Sequence, residues 1–169
     1  GRNNKLVMFW MDGSSDKGDG STAGMEMRGS EGGSADWYVK IGEGEFSVLG
    51  GDQQRSAFVE IPRDRGRWMQ IVVYMQAESA EGSRDGVFRT WRRWAGECSF
   101  RLTHDLQYQP IRVPQEGPQG FASGYLLGWA NAKYEEDTEF IIDNLQLSDE
   151  SLLREEDCPP AAPDSLSIR

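Results

Sequence analysis

Histidine and cysteine are almost absent from this chain. Its 169 residues include one histidine, His104, and two cysteines, Cys98 and Cys158. Those three side chains fall short of the four-ligand set of a structural zinc site. Long apolar runs are missing as well. No stretch approaches the ~20 residues of a membrane helix, so no membrane insertion is expected. Hydrophobic residues make up 37% of the chain and mean hydropathy is −0.64, which places it in the soluble class. A basic surplus is also lacking, since 18 Lys and Arg face 28 Asp and Glu for a net charge of −10. Nucleic-acid binding rests on a basic footprint, so nucleic acid is not an expected partner. The last absence is helical periodicity. No window of a dozen residues sustains an apolar stripe at i, i+3, i+4, i+7 with capping residues.

What remains is a succession of short β segments separated by Gly, Asp and Ser. The expected strands are Lys5–Met11, Thr22–Arg28, Asp36–Ile41, Glu45–Leu49, Ala57–Ile61, Trp68–Glu78, Val87–Trp94, Ser99–Leu102, Gln109–Val113, Phe121–Ala130 and Glu139–Ser148. Many short strands at this spacing predict an all-β sandwich or barrel. The chain is long enough for one domain that buries about two-thirds of its surface. Residues 1–148 form that domain in this reading, and residues 149–169 form an acidic, Pro-rich tail or linker ending in Pro159-Pro160-Ala161-Ala162-Pro163. The stretch begins with Gly1, so it reads as a mature or excerpted portion of a longer protein.

The longest strands can be read face by face. In Trp68–Gln76, Met69, Ile71, Val73 and Met75 share one side, and Trp68, Gln70, Val72, Tyr74 and Gln76 share the other. The aliphatic side is expected against a second sheet, since exposure forfeits roughly 1.5–3 kcal/mol per side chain. After it comes Asp85-Gly86, read as a tight turn in which Gly supplies positive φ. The next strand is expected to point Arg89, Trp91 and Arg93 outward and Phe88 inward. In Ser123–Asn131, Tyr125, Leu127, Trp129 and Asn131 share a face.

Several features carry chemistry. Arg63, Arg65 and Arg67 precede one strand, and Arg84, Arg89, Arg92 and Arg93 crowd the next. They either neutralise the acidic surplus or meet an anionic glycan. Cys98 and Cys158 either form a disulfide, worth ~3–4 kcal/mol by chain entropy, or remain two buried thiols. Asp12, Asp16 and Asp19 lie in a Gly/Ser loop where they would give oxygen ligands to calcium or simply face water. Their spacing does not match an EF-hand. Thr103-His104-Asp105 reads as a turn.

Three stretches in order carry a resemblance: Arg65-Gly66-Arg67-Trp68, then Asp85-Gly86-Val87-Phe88-Arg89-Thr90-Trp91, then Thr138-Glu139-Phe140-Ile141-Ile142-Asp143-Asn144-Leu145. Over about residues 65–148 the chain resembles the polysaccharide-lyase-like branch of the concanavalin A-like jelly rolls. The resemblance implies two antiparallel sheets face to face, with a concave face that binds polysaccharide. It also implies strands ahead of Lys5, so that upstream residues or a neighbouring subunit would complete the sandwich.

Two kinds of chemistry fit such a face. Aromatic rings stack on pyranoses while Arg, Asn and Gln bond their hydroxyls. Trp68, Gln70, Tyr74, Gln76, Arg89, Trp91, Tyr125, Trp129 and Asn131 are the candidates. A lyase instead needs a base, an acid and a group that offsets a uronate carboxylate, roles for Tyr74, Arg89 and Tyr125. A paired-carboxylate glycosidase is rejected, since Met25-Glu26-Met27 lacks the second acid of a Glu-x-Asp-x-Glu strand. The expected function is glycan binding outside the cytoplasm or on a particle surface. The alternatives are a lyase on an acidic glycan, or a structural subunit of a virion, sheath or fibre.

Overall fold

The computed structural model describes residues 4–10, 22–29, 34–41, 44–47, 59–60, 63–80, 82–111, 121, 123–127 and 141–153. Within them the chain forms strands and no helix: β1 (Asn4–Trp10), β2 (Thr22–Gly29), β3 (Ser34–Ile41), β4 (Gly44–Ser47), β5 (Val59–Glu60), β6 (Met69–Gln76), β7 (Gly86–Trp94), β8 (Arg101–Gln109) and β9 (Ser123–Leu126). Among the described residues no helix is long and apolar enough to cross a membrane.

The strands form two antiparallel sheets. One has six strands in the order β4-β3-β2-β1-β9, with β5 also pairing β3; the other has three, β6-β7-β8. β4 takes Tyr38–Ile41 of β3, and β5 takes Ser34 and Ala35. The late strand β9 lies against the first, Met8 opposite Tyr125. That pairing joins distant parts of the sequence.

Side-chain alternation gives each sheet a dry face. On the larger sheet Val7, Met25 and Val39 align across three strands, as do Phe9, Ala23 and Ile41. A register shift between Lys5 and Val7 lets Leu6 join the same side. On the smaller sheet Met69, Ile71, Val73 and Met75 line up with Phe88 and Leu106. All of these residues belong to one hydrophobic cluster. The two sheets therefore share a core, which gives the protein its sandwich-like character. Phe88, Met25 and Ile111 are fully buried, each worth roughly 1.5–3 kcal/mol over exposure. Phe9 and Phe121 close one border, ring centres 5.6 Å apart.

The β6–β7 connection departs from a tight Asp-Gly turn. It runs through a longer loop in which the buried Glu78 accepts backbone N–H bonds from Gly82 and Arg84 at 3.1 Å each. Positive φ falls on Gly82 (77°) and Arg84 (54°). Gly86 is the first residue of β7 and serves a different need. A Cβ there would sit 2.5 Å from the Gln109 carbonyl oxygen, so close approach of β8 demands glycine.

Three other expectations change. Ser99–Leu102 and the described part of Gln109–Val113 (residues 112–113 lie outside the described residues), with a turn at Thr103-His104-Asp105, give way to the continuous β8, in which His104 is fully buried. Thr103 is the extra residue of a bulge between the pairs Thr90–His104 and Trp91–Leu102. Its hydroxyl bonds back to the Thr90 carbonyl at 3.0 Å, so the partner strand satisfies a segment that alone reads as a turn. A second shift, between Gly86 and Phe88, faces Tyr108 with φ 60°. The expected closing strand Glu139–Ser148 has no strand over its described part, where residues 141–148 are all exposed. In Phe121–Ala130 the strand ends at Leu126, and Leu127 takes φ 44° while its N–H donates to the Leu6 carbonyl at 2.7 Å; residues 128–130 lie outside the described residues.

Candidate functional site

The outer face of β6-β7-β8 collects most of the described candidate residues. Opposite Met69, Ile71, Val73 and Met75, the alternate positions of β6 place Gln70, Val72, Tyr74 and Gln76 on one side. Their register partners on β7 are Arg93, Trp91, Arg89 and Val87. β8 adds Leu102 beside Trp91 and Asp105 beside Arg89. Directly opposed residues have Cβ atoms about 5 Å apart, and Gln70 to Gln76 spans about 20 Å of strand. The face thus runs about 20 Å along the strands, open at Gln70, Tyr74 and Gln76 and buried at Val72 and Arg93.

Its polar groups are already organised. The Tyr74 hydroxyl donates to Gln76 Oε1 at 2.8 Å. Arg89 Nε donates to Asp105 Oδ1 at 2.7 Å, and Gln107 Nε2 approaches both Asp105 oxygens at 3.4 Å. The Arg89 hydrogen bond is the main cause that holds the Asp105 carboxyl below the ordinary carboxylate range. Tyr74 is 44% exposed, while Trp91 and Arg89 are half-buried. Arg93 points to the same side yet is buried: Nε donates to Gln70 Oε1 at 2.8 Å, Nη1 to the Cys98 carbonyl at 3.4 Å, and its guanidinium lies 4.3 Å from the Phe100 ring centre. Arg93 is therefore a bracket under the platform's end.

The remaining candidates divide. Trp68 is half-buried one residue ahead of β6, its carbonyl bonded by the Ala95 N–H at 2.9 Å. Tyr125 belongs to the other sheet. It pairs with Met8, whereas the neighbouring Val7 points into the shared core. The fold brings Tyr74 and Arg89 together and does not bring Tyr125 to them. Trp129, Asn131 and the loop acids Asp12, Asp16 and Asp19 lie outside the described residues. Among the described residues no group of His, Cys, Asp and Glu could hold a metal ion. Cys98 is disulfide-bonded; the sequence's other cysteine, Cys158, lies outside the described residues.

Asp105 and Gln107 were not anticipated. The signal for them was the alternation of Asp105 and Gln107 after the buried His104, hidden by the turn-like composition of the triplet around His104.

The inner face of the same sheet is polar toward one end. Thr90 and His104 are fully buried, Thr103 nearly so. Thr103 Oγ1 lies 2.7 Å from Thr90 Oγ1, which lies 2.6 Å from His104 Nδ1. With the Thr103 hydroxyl donating to the Thr90 carbonyl, proton counting assigns the rest. The Thr90 hydroxyl donates to Thr103 and accepts from His104 Nδ1–H. His104 is thereby a structural member of the sheet. Beyond it, Arg67 and Arg92 stack on Trp94, 4.3 and 5.3 Å from its ring centre. Asp64, whose side chain is wholly buried, binds Arg63 at 3.0 Å and Arg67 at 2.8 Å. Burial, followed by the nearby Arg101 charge, lowers the Arg92 pKa.

The chain matches no protein-family model, no curated protein and no solved structure.

Proposed function

We propose that this protein is a non-catalytic glycan-binding domain of the concanavalin A-like jelly-roll type, working outside the cytoplasm or on a particle surface. Its ligand is a polysaccharide laid along the outer face of β6-β7-β8. The observation that carries this reading is the register that puts Tyr74 opposite Arg89, with the half-buried Trp91 two residues along β7 on the same side, opposite the aliphatic row of β6. Such a face offers rings for stacking and paired polar groups for hydroxyls. Arg89 is committed to Asp105, which suits hydroxyl recognition better than capture of a uronate carboxylate. Cleavage would need a second proton-transfer group beside Tyr74, and Tyr125 stands on the other sheet. Binding is therefore the reading to test first.

The test is a glycan array followed by titration with the best polysaccharide. Tyr74→Ala, at an exposed position, is expected to weaken binding about tenfold, the scale of one lost stacking contact, with the melting temperature unchanged. Intact affinity in Tyr74→Ala and in Arg89→Gln would exclude this face. A rise in ultraviolet absorbance from an unsaturated product, on alginate or glucuronan, would instead restore the lyase.

A further inference from the structure

Strict alternation along β8 assigns both Leu106 and Tyr108 to the core side. Leu106 takes that side, opposite Phe88. Tyr108 does not. The register shift leaves Gln107 and Tyr108 together opposite Val87, and Gln109 then pairs with Gly86. Tyr108 takes φ 60° with 76% of its surface exposed. A bulky side chain at positive φ is strained, and a ring left in water forfeits the gain of burial. Two contacts fasten the backbone in this shape. Gln109 Nε2 donates to the Gln107 carbonyl at 2.8 Å, bridging Tyr108, and the absence of a Cβ at Gly86 admits the Gln109 carbonyl. The bulge therefore holds an aromatic ring out of the core.

That ring joins an organised patch. Tyr74, Arg89 and Asp105 form one row across the three strands, and Gln76, Val87 and the Gln107–Tyr108 bulge form the next. β6 and β8 lie two strand spacings apart, about 10 Å, so two exposed tyrosines flank a donor and an acceptor. Arg89 gives Asp105 its Nε, which keeps its Nη groups as donors. Asp105 Oδ2 is approached by Gln107 Nε2 at 3.4 Å and retains room to accept. A sugar hydroxyl both donates and accepts, so two neighbouring hydroxyls satisfy the pair together. A uronate or sulfate group only accepts: it would suit Arg89 but meet the Asp105 carboxylate as a like charge. The Arg89 hydrogen bond, which lowers the Asp105 pKa, keeps that carboxylate charged at neutral pH.

We infer that Tyr108 is a second stacking residue of the outer face, and that Tyr74, Tyr108 and the Arg89–Asp105 pair between them select a neutral polysaccharide over an acidic one. The inference rests on the glycan-binding reading and adds to it a contact residue and a substrate class.

The full chain is titrated calorimetrically with cellohexaose, laminarihexaose and mannohexaose, and with hexaguluronate as the acidic counterpart. The best neutral hexaose is expected to bind Tyr108→Gly about tenfold more weakly, the scale of one lost stacking contact. The melting temperature should hold or rise, because Gly accepts the positive φ. Tyr108→Phe keeps the ring and should bind as wild type does. Asp105→Asn is expected to strengthen hexaguluronate binding about threefold, the scale of one screened charge contact. Binding that drops in Tyr74→Ala but not in Tyr108→Gly, or drops equally in Tyr108→Phe and Tyr108→Gly, would overturn the role of Tyr108 while the glycan reading stands. Hexaguluronate binding tighter than every neutral hexaose, or indifferent to Asp105→Asn, would overturn the neutral class alone. A chain that binds none of the four and no glycan on an array would lose the glycan reading itself, and this inference with it.

Discussion

Successive inward residues of β7 divide its inner face into two halves held by different physics. Phe88 is fully buried, flanked in register by Met75 and Leu106, and belongs to the common apolar core. Two residues on, Thr90 is equally buried but bonded to Thr103 and His104. Two further, Arg92 stacks on Trp94, with Arg67 over the same ring and Asp64 behind it. One strand thus passes from dispersion and water exclusion, through hydroxyl hydrogen bonds, to cation–π and ionic contacts within a few residues. The difference teaches that the sandwich core does not run the length of the small sheet. Where the facing aliphatics end, buried polar groups must satisfy one another.

The widest gap between the halves should appear on truncation. Phe88→Ala removes a fully buried ring from the apolar half and is expected to cost about 3–5 kcal/mol, a loss that added salt leaves unchanged. Urea midpoints at low and high salt measure both features. A cost below about 1 kcal/mol would mean the ring's site collapses freely and the apolar half is not close-packed. Thr90→Val tests the middle of the strand. It keeps the shape but deprives His104 Nδ1–H of its acceptor, an expected cost of about 1–3 kcal/mol. Thr90→Ser keeps the hydroxyl and should cost less. Equal costs for the two would show that the side-chain chain of hydrogen bonds contributes nothing.

The two halves were unequally legible in the sequence. In β6 every inward residue is aliphatic, so period-two alternation alone assigned Met69, Ile71, Val73 and Met75 to the core. The same alternation put Tyr74 and Arg89 outward, where register makes them neighbours. The polar half hid itself. Thr103-His104-Asp105 carries turn-forming residue types, and only the partner strand, through the Thr90 hydroxyl and carbonyl, makes a buried strand of it. That is a long-range satisfaction no local pattern shows. Conversely, Ile141-Ile142-Asp143-Asn144-Leu145 has strand-forming residues, yet the described structure pairs it with nothing and Asn144 takes φ 54°. Tyr125 shares its alternation with a plausible binding face, but pairing β9 to β1 rather than to β6 or β8 assigns it to the other sheet. Alternation reports which side of a strand a residue takes and is silent on which sheet receives the strand.

At the polar end, Asp64 holds Arg63 and Arg67, and Arg67 in turn covers Trp94. Its two partners are well exposed, with 63% and 42% of their side-chain surface open, so solvent screens the pairs. Asp64→Asn is expected to cost about 1 kcal/mol at low salt and less as salt rises. The same pair of urea titrations that finds Phe88→Ala indifferent to salt should find Asp64→Asn sensitive to it. A salt-independent cost would move Asp64 from the ionic account to plain hydrogen bonding, and the contrast between halves would weaken.

The apolar end has charged side chains too, in the loop that closes β6 on β7, and the structure shifts the titration of one of them, Asp85. Asp85 accepts hydrogen bonds from the Ser83 hydroxyl and, at 2.9 Å, from the Ser79 N–H. The serine hydrogen bonds, that of Ser79 foremost, lower its pKa from 3.8 to about 2. Because the folded form holds the carboxylate more strongly than the free chain does, Asp85 favours folding fully above pH 3.8. That contribution is lost as pH falls from 3.8 toward about 2. Asp85→Asn removes the titrating group, so the stability gap between wild type and variant should be constant above pH 4 and narrow steadily below 3.8. Hydrogen bonds rather than an ion pair hold Asp85, so salt should barely move the gap, the reverse of Asp64. A gap that stays constant down to about pH 2, or one that closes with salt at neutral pH, would show that the two ends anchor their carboxylates in the same way.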